Sequence, residues 1–303
     1  MPSFDIDRKI FSQANGKVYV LTGGAGGIGS ALVRLIHANG GKVVFGDLNV
    51  VEAEKLSAAL GHDITYMQMD VTRYDDHVKL FKTALTKHGK IDHALAVAGI
   101  NESDHGWFDD ALDINTVEKP ASDLTVDINL KGTMYFARVA LPYLRHGNSS
   151  LEKGREKSLV MLSSQLGLVT GQGIPLYQSS KHGVLGLMRC LSISAARSGG
   201  VRVNAVCPGM TRTAMTDALR PVWEAHKLLD QGPEQVAEAL LAITLESING
   251  AALLVDGGEA WDVEPELASS RAQWLGPVGS HTIDAIAKAF SVATLGDGVK
   301  VDI

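Results

Sequence analysis

Tyr177 and Lys181 stand four residues apart in the stretch LYQSSKHGVLGL, residues 176–187. Four residues is about one turn of an α-helix, which puts the phenol and the ammonium on one face with Cβ atoms roughly 5–6 Å apart. A phenol with a pKa of about 10 is a poor base at neutral pH, and a neighbouring ammonium favours the phenolate. Such a pair could take a proton from an alcohol or return one to a ketone. The same spacing also belongs to any helix that carries a Tyr and a Lys, so the rest of the chain has to weigh in. A second chemical feature is the run VLTGGAGGIGSAL, which follows an apolar stretch and opens an amphipathic one. Glycines there let the backbone approach a pyrophosphate at a helix N-terminus. The run can be parsed as Gly24-x-Gly26-x-x-Gly29 or, with wider spacing, as Thr22-Gly23-x-x-x-Gly27-Ile28-Gly29. Asp47 comes 18 residues after Gly29, where a carboxylate can accept hydrogen bonds from an adenosine ribose. A carboxylate there repels a 2′-phosphate, and neither the glycine loop nor the residues after Asp47 offer a nearby Arg or Lys to attract one, so NAD is expected over NADP. The alternative role for Asp47 is to cap a helix starting near Val50.

The elements that must position these groups alternate short apolar runs with amphipathic segments, the pattern of βαβ units around a parallel sheet. Strands are expected at 17–24, 42–47, 64–71, 91–99, 157–164, 201–209 and 251–258, with helices at 29–41, 49–61, 75–89, 125–147, 176–198 and 233–245. The expected fold is α/β: a doubly wound Rossmann fold with a seven-stranded parallel sheet and helices on both faces. Residues 1–261 would form one domain, and 262–303 a C-terminal extension. Three segments break the rhythm. Residues 100–124 are a polar, acidic excursion. Residues 211–232 carry Met215, Leu219, Trp223, Leu228 and Leu229, more apolar surface than a plain loop needs, and read as a lid. In the tail, Ile283, Ile286 and Phe290 share a helical face that would pack on the body or on another subunit, or else cap the site.

Composition narrows the function classes. The net charge of -6 over 303 residues, with no Lys/Arg cluster, argues against nucleic-acid binding. Cys190 and Cys207 have neither metal-site spacing nor the density of a disulfide scaffold, so no metal is expected. The N-terminus has no apolar run, and no stretch approaches the length of a membrane span, so a cytoplasmic protein is expected.

Taken in order, these motifs resemble the short-chain dehydrogenase/reductase family over roughly residues 12–260. The family's T-G-x-x-x-G-x-G matches Thr22, Gly23, Gly27 and Gly29, which favours the wider parsing. Its Asp-Val pair matches Asp70 and Val71, its N-x-x-G matches Asn129, and its Y-x-x-x-K matches Tyr177 and Lys181. Its Ser matches Ser164, thirteen residues before Tyr177, and its R-V-N-A…P-G…T matches Arg202, Asn204, Pro208, Gly209 and Thr213. The resemblance implies a tetrad of Asn129, Ser164, Tyr177 and Lys181. Tyr177 would be the acid/base, Ser164 would hold the substrate oxygen, Lys181 the nicotinamide ribose, and Asn129 a relay water. It also implies that backbone at Ala98, Gly99 and Thr211 and the side chain of Thr213 lie along the cofactor. Ser163, facing the other way on its strand, would be structural. Gln165 would either look into the substrate pocket or pack.

The family's Asn-Asn-Ala-Gly is here Ala96 to Gly99, so an amide that braces the sheet is missing. A looser resemblance to the 15-hydroxyprostaglandin dehydrogenase type suggests a hydrophobic secondary alcohol or its ketone as substrate, with Met215, Leu219 and Trp223 in the pocket. The alternatives are a redox-neutral reaction on the same fold, or a non-catalytic sensor or scaffold that binds NAD(H). The resemblance further implies a homodimer or homotetramer paired through the helices at 125–147 and 176–198, which carry Met134, Phe136, Leu187 and Leu191. If Ala96 is only a missing brace, Ala96→Asn leaves NADH affinity similar in a fluorescence titration; abolished binding would show that the position does more.

Overall fold

Each central strand is apolar on both faces, as a sheet covered by helices on both sides requires. A computed structural model describes residues 3–102, 105–108, 112–147, 157–171 and 173–292, and it shows that sheet. In chain order the strands are β1 (Val18–Thr22), β2 (Lys42–Asp47), β3 (Ile64–Gln68), β4 (His93–Ala96), β5 (Ser158–Leu162), β6 (Arg202–Pro208), β7 (Ala252–Asp256) and β8 (Glu259–Asp262). They lie in the order β3-β2-β1-β4-β5-β6-β7-β8, so the direction of winding reverses between β1 and β4. The first seven strands are parallel, as expected. The eighth is a correction: β8 returns antiparallel on β7, pairing Asp256 with Glu259 through Gly257 and Gly258. Four residues, one of them Trp261, were too short a run to read as a strand.

Helices α1 (Gly27–Ala38) and α2 (Val50–Leu60) pack with the helix Pro233–Leu245 as one set. α3 (Tyr74–His88) packs with the helices Thr133–Arg145 and Pro175–Gly199 as the other. The single helix expected at 125–147 is interrupted. Leu124–Val126 is one α-turn, Asp127–Gly132 is a π-helical turn, and Thr133–Arg145 resumes the α-helix. Such a bulge adds a residue to one turn and re-aims the side chains on it, here Asn129.

The described chain divides into two compact units, residues 3–262 and residues 263–292. The second unit, by itself, holds the helices Glu264–Ser269 and Arg271–Val292, the latter broken at Gly276 (φ 74°). Arg271 spans that break to Ser280 at 3.2 Å. Ile283 and Ile286 are exposed, while the Phe290 side chain and residues 293–303 lie outside the described residues. In the polar excursion, short 3-10 turns form at His105–Phe108 and Thr116–Glu118, and Phe108 and Ile114 are exposed. Among the described residues no helix is long and apolar enough to cross a membrane, and no His/Cys/Asp/Glu group could hold a metal ion.

A buried carboxylate locks the register at the N-terminal ends of the central strands. Asp92 accepts from the Val18 N–H at 2.8 Å, from Lys90 at 2.8 Å and from Lys157 at 2.9 Å. Burial alone would raise its pKa, but these donors outweigh burial and hold it at about 2. Because the folded value lies below the ordinary 3.8, the contribution is full above that pH and is lost as pH falls through about 2. Asp92→Asn removes one partner of a buried pair and is expected to cost about 3 kcal/mol in a denaturant titration at pH 7. An unchanged midpoint would show that the register is held elsewhere.

Candidate active site

Parallel strands gather their C-terminal ends at one edge of the sheet, and a ligand crevice forms where the winding reverses. A cavity of about 390 Å³ lies there. Its walls include Gly23, Gly27, Ile28, Gly29, Asp47, Asp70, Val71, Ala98, Gly99, Ser164, Tyr177, Lys181, Pro208, Gly209, Thr211, Thr213 and Met215. All the residues assigned to cofactor from sequence therefore line one space. Three of the four tetrad residues do so as well; Asn129 is fully buried behind it.

The glycine loop is shaped for close approach. Gly23 has φ 75°, a left-handed conformation that suits glycine. A Cβ at Gly29 would lie 1.9 Å from the Gly23 carbonyl oxygen. Gly26 caps α1 without a side chain, so no side chain competes for the first N–H groups of the helix. Asp47 accepts from the Ala25 N–H at 2.8 Å and the Asn49 N–H at 2.9 Å, tying the loop to the end of β2. The side-chain cap of α2 is Asn49, which accepts from Glu52, so the alternative reading of Asp47 as that cap does not hold. Asp70 is held in turn, its N–H donating to Asp76 at 3.2 Å and its Oδ1 accepting from both N–H and hydroxyl of Thr72. These features fit a dinucleotide: backbone room for phosphates, a helix N-terminus, and a carboxylate at the far end of the crevice.

At the other end, Pro175–Gly199 carries Tyr177 and Lys181 across the ends of β5 and β6. Lys181 is 3% exposed; its ammonium donates to the Leu162 carbonyl at 3.0 Å and lies 5.7 Å from the Tyr177 ring centre. Burial lowers its pKa to about 8, against a small opposing influence of Cys207. Burial also pushes the Tyr177 phenol up, opposed by the hydrogen bond it shares with the Ser164 hydroxyl. Desolvation therefore outweighs that hydrogen bond in the protein alone. The phenolate expected from sequence rests on Lys181 together with the positive charge of an oxidised nicotinamide.

Asn129 is more committed than its sequence motif indicates. Its Oδ1 accepts from the Ile100 N–H at 2.8 Å, and its Nδ2 donates to the Ile100 carbonyl at 2.9 Å and to Ser180 Oγ at 3.3 Å. Its carbonyl accepts from the Thr133 hydroxyl at 2.7 Å. Ser163 donates to the Lys181 carbonyl at 2.8 Å, pinning the helix from below.

The base of the expected lid closes between Thr211 and Gln231, which is fully buried and donates to Thr211 Oγ1 at 3.3 Å and to the Val255 carbonyl at 2.8 Å. Gln231 went unread in the sequence because nothing local marks a glutamine as a tertiary clasp. Of the four residues assigned to the substrate pocket, only Met215 lines the cavity. Gln165 opens a 3-10 turn after Ser164. Leu219 lies on the exposed side of the lid, and Trp223 donates to the Leu229 carbonyl at 3.0 Å, bracing the lid on itself. Ile100, Leu162 and Ala214 add to the apolar wall. Gly29→Ala should weaken NADH binding by at least about tenfold in a fluorescence titration, because the new Cβ has to displace loop backbone; unchanged affinity would detach the loop from cofactor binding.

The sequence matches the short chain dehydrogenase family over residues 17–222. It is 29% identical over 299 residues to Short-chain dehydrogenase/reductase prx4 of Penicillium roqueforti, covering 91% of this chain and 85% of that protein. It is 32% identical over 261 residues to Short-chain dehydrogenase reductase 4 of Arabidopsis thaliana, covering 80% and 82% respectively. It is 30% identical over 247 residues to Tropinone reductase-like 1 of Erythroxylum coca, covering 81% of each. With the crevice, the glycine loop and the tyrosine–lysine pair in one place, the chain belongs to the short-chain dehydrogenase/reductase family, oxidoreductases that act on CH–OH groups with a nicotinamide cofactor.

Proposed function

We propose that the protein interconverts a hydrophobic secondary alcohol and its ketone with NAD(H), using Tyr177 as proton donor and acceptor. The observation that carries this reading is that Tyr177, Ser164 and the buried Lys181 all stand in the wall of the crevice opened by the glycine loop, the Ser164 hydroxyl acting on the Tyr177 phenol. When bound, a nicotinamide supplies or accepts the hydride and, oxidised, brings positive charge to the site. Tyr177 takes the hydroxyl proton in oxidation and returns it in reduction. Ser164 holds the substrate oxygen. An ammonium has three donors, and Lys181, with one spent on Leu162, has others for a ribose hydroxyl. A water relaying protons past Lys181 would use the second lone pair of the Asn129 carbonyl, whose first takes the Thr133 hydroxyl, since the side chain is spent on Ile100 and Ser180.

Asp47 in the crevice wall supports NAD over NADP, because a carboxylate repels a ribose phosphate. Ile100, Leu162, Ala214 and Met215 support an apolar substrate, and a relative named for tropinone reductase is in keeping with a small ketone. Met134 and Ile193, 48% and 59% exposed on the two helices named for pairing, support a homodimer or homotetramer; Phe136, assigned to the same surface from sequence, packs inside at 1%.

A panel of hydrophobic secondary alcohols and ketones, followed by NADH absorbance, tests the reading. Turnover should be at least about tenfold faster with NAD than NADP, and Tyr177→Phe should lose about 10²–10⁴-fold. Equal turnover in that variant would sink the mechanism. Silence across the panel with tight NADH binding would favour a redox-neutral or non-catalytic role.

A further inference from the structure

A helix begins with N–H groups that have no partner in its own backbone, and its first turn frays most readily. Tyr177 sits in that first turn. The helix Pro175–Gly199 starts at Ile174, whose side chain cannot accept a hydrogen bond, and Pro175 has no N–H to donate. The first donors are therefore Leu176 and Tyr177. Both reach one oxygen: Glu102 Oε2 accepts from Leu176 N–H at 2.8 Å and from Tyr177 N–H at 3.0 Å. Glu102 is 74 residues away in sequence and only 3% exposed.

Glu102 is itself held. It lies two residues beyond Ile100, whose N–H and carbonyl are both clamped by the Asn129 side chain. Asn129 also donates to Ser180 Oγ, and Ser180 donates to the Tyr177 carbonyl at 2.7 Å. A closed circuit of hydrogen bonds thus joins the π-helical turn, the loop after β4 and the first turn of the helix, holding the Tyr177 backbone at both its N–H and its carbonyl. The other carboxylate oxygen, Glu102 Oε1, is buried without a hydrogen-bond partner among the described residues. An unmatched buried acceptor is costly. A Ser or Asp at position 174 would cap the helix without that cost, so stability alone does not account for a carboxylate brought from so far.

We propose that Glu102 is a positioning residue for Tyr177: its carboxylate holds the first turn of the helix closed and thereby sets where the phenol stands. Lys181, a turn further in and tied to Leu162, does not depend on it. Loss of Glu102 therefore moves the phenol while leaving the cofactor end of the crevice intact. Its bearing on catalysis rests on the reading of Tyr177 as the acid/base, but its test does not.

Full-length wild type, Glu102→Ala, Glu102→Gln and Tyr177→Phe would be compared by amide hydrogen exchange across 174–181, by tyrosinate absorbance titration and by NADH fluorescence titration. In Glu102→Ala, exchange at Leu176 and Tyr177 should quicken by about tenfold or more. The Tyr177 step, identified by subtracting Tyr177→Phe, should move down toward the ordinary 10 as the phenol gains solvent. NADH affinity should stay within about twofold. Glu102→Gln, which keeps an acceptor, should restore both readouts. If the alanine variant does not fold, Glu102→Asp, with the same charge and a shorter reach, carries the comparison and should show the same changes in smaller degree. An unmoved tyrosine titration, a glutamine variant as impaired as the alanine, or a parallel loss of NADH affinity would each overturn the assignment. Turnover by Tyr177→Phe in the alcohol panel would instead sink the mechanism and leave this result standing.

Discussion

A lysine ammonium closed off from water is the constraint around which the rest of the site is arranged. Lys181 is 3% exposed with its pKa held near 8, so keeping it costs stability that its neighbours must offset. The Leu162 carbonyl accepts a hydrogen bond from it and Ser163 donates to the Lys181 carbonyl beneath it. Both acceptor and anchor come from the end of β5 and its continuation. The helix is thereby fixed over that strand, and with it the face that carries Tyr177. Had Lys181 been placed on the surface, its charge would be screened and its position loose.

In the protein alone desolvation outweighs what opposes it at both groups, a hydrogen bond from Ser164 at Tyr177 and a small influence of Cys207 at Lys181. Burial raises the phenol and lowers the ammonium, disfavouring the charged form of each. A site of this kind is poised for change: a further positive charge in the same low-dielectric crevice acts on the phenol far more strongly than it would in water. The register lock at Asp92 serves the same end from the opposite edge of the sheet. It fixes β1 and β4 and the chain entering β5, whose far ends carry the glycine loop, Ala98–Gly99 and Ser163–Ser164.

Local chemistry made much of this readable in advance. Thr22, Gly23, Gly27 and Gly29 mark a strand-to-helix turn because backbone room has to be supplied by residue type. Tyr177 and Lys181 reveal their shared face because helical period is a property of the chain itself. The seven parallel strands were visible as apolar runs, since burial on both faces leaves no choice of composition.

What the sequence by itself determined is the set of reacting groups and the class of fold that gathers them, because both follow from residue type at short range. Only the tertiary structure decided which neighbours those groups meet. Glu102 reads as one more acid in a polar stretch until folding brings it to the first turn of the tyrosine helix. Gln231 is undistinguished until it closes the lid. Asn129 gives no local sign that its amide will be spent on Ile100 and Ser180. Trp223, apolar enough to suggest a pocket wall, braces the lid instead. Each of these contacts joins residues distant in sequence or turns on where a side chain points, and no local pattern encodes either; packing does.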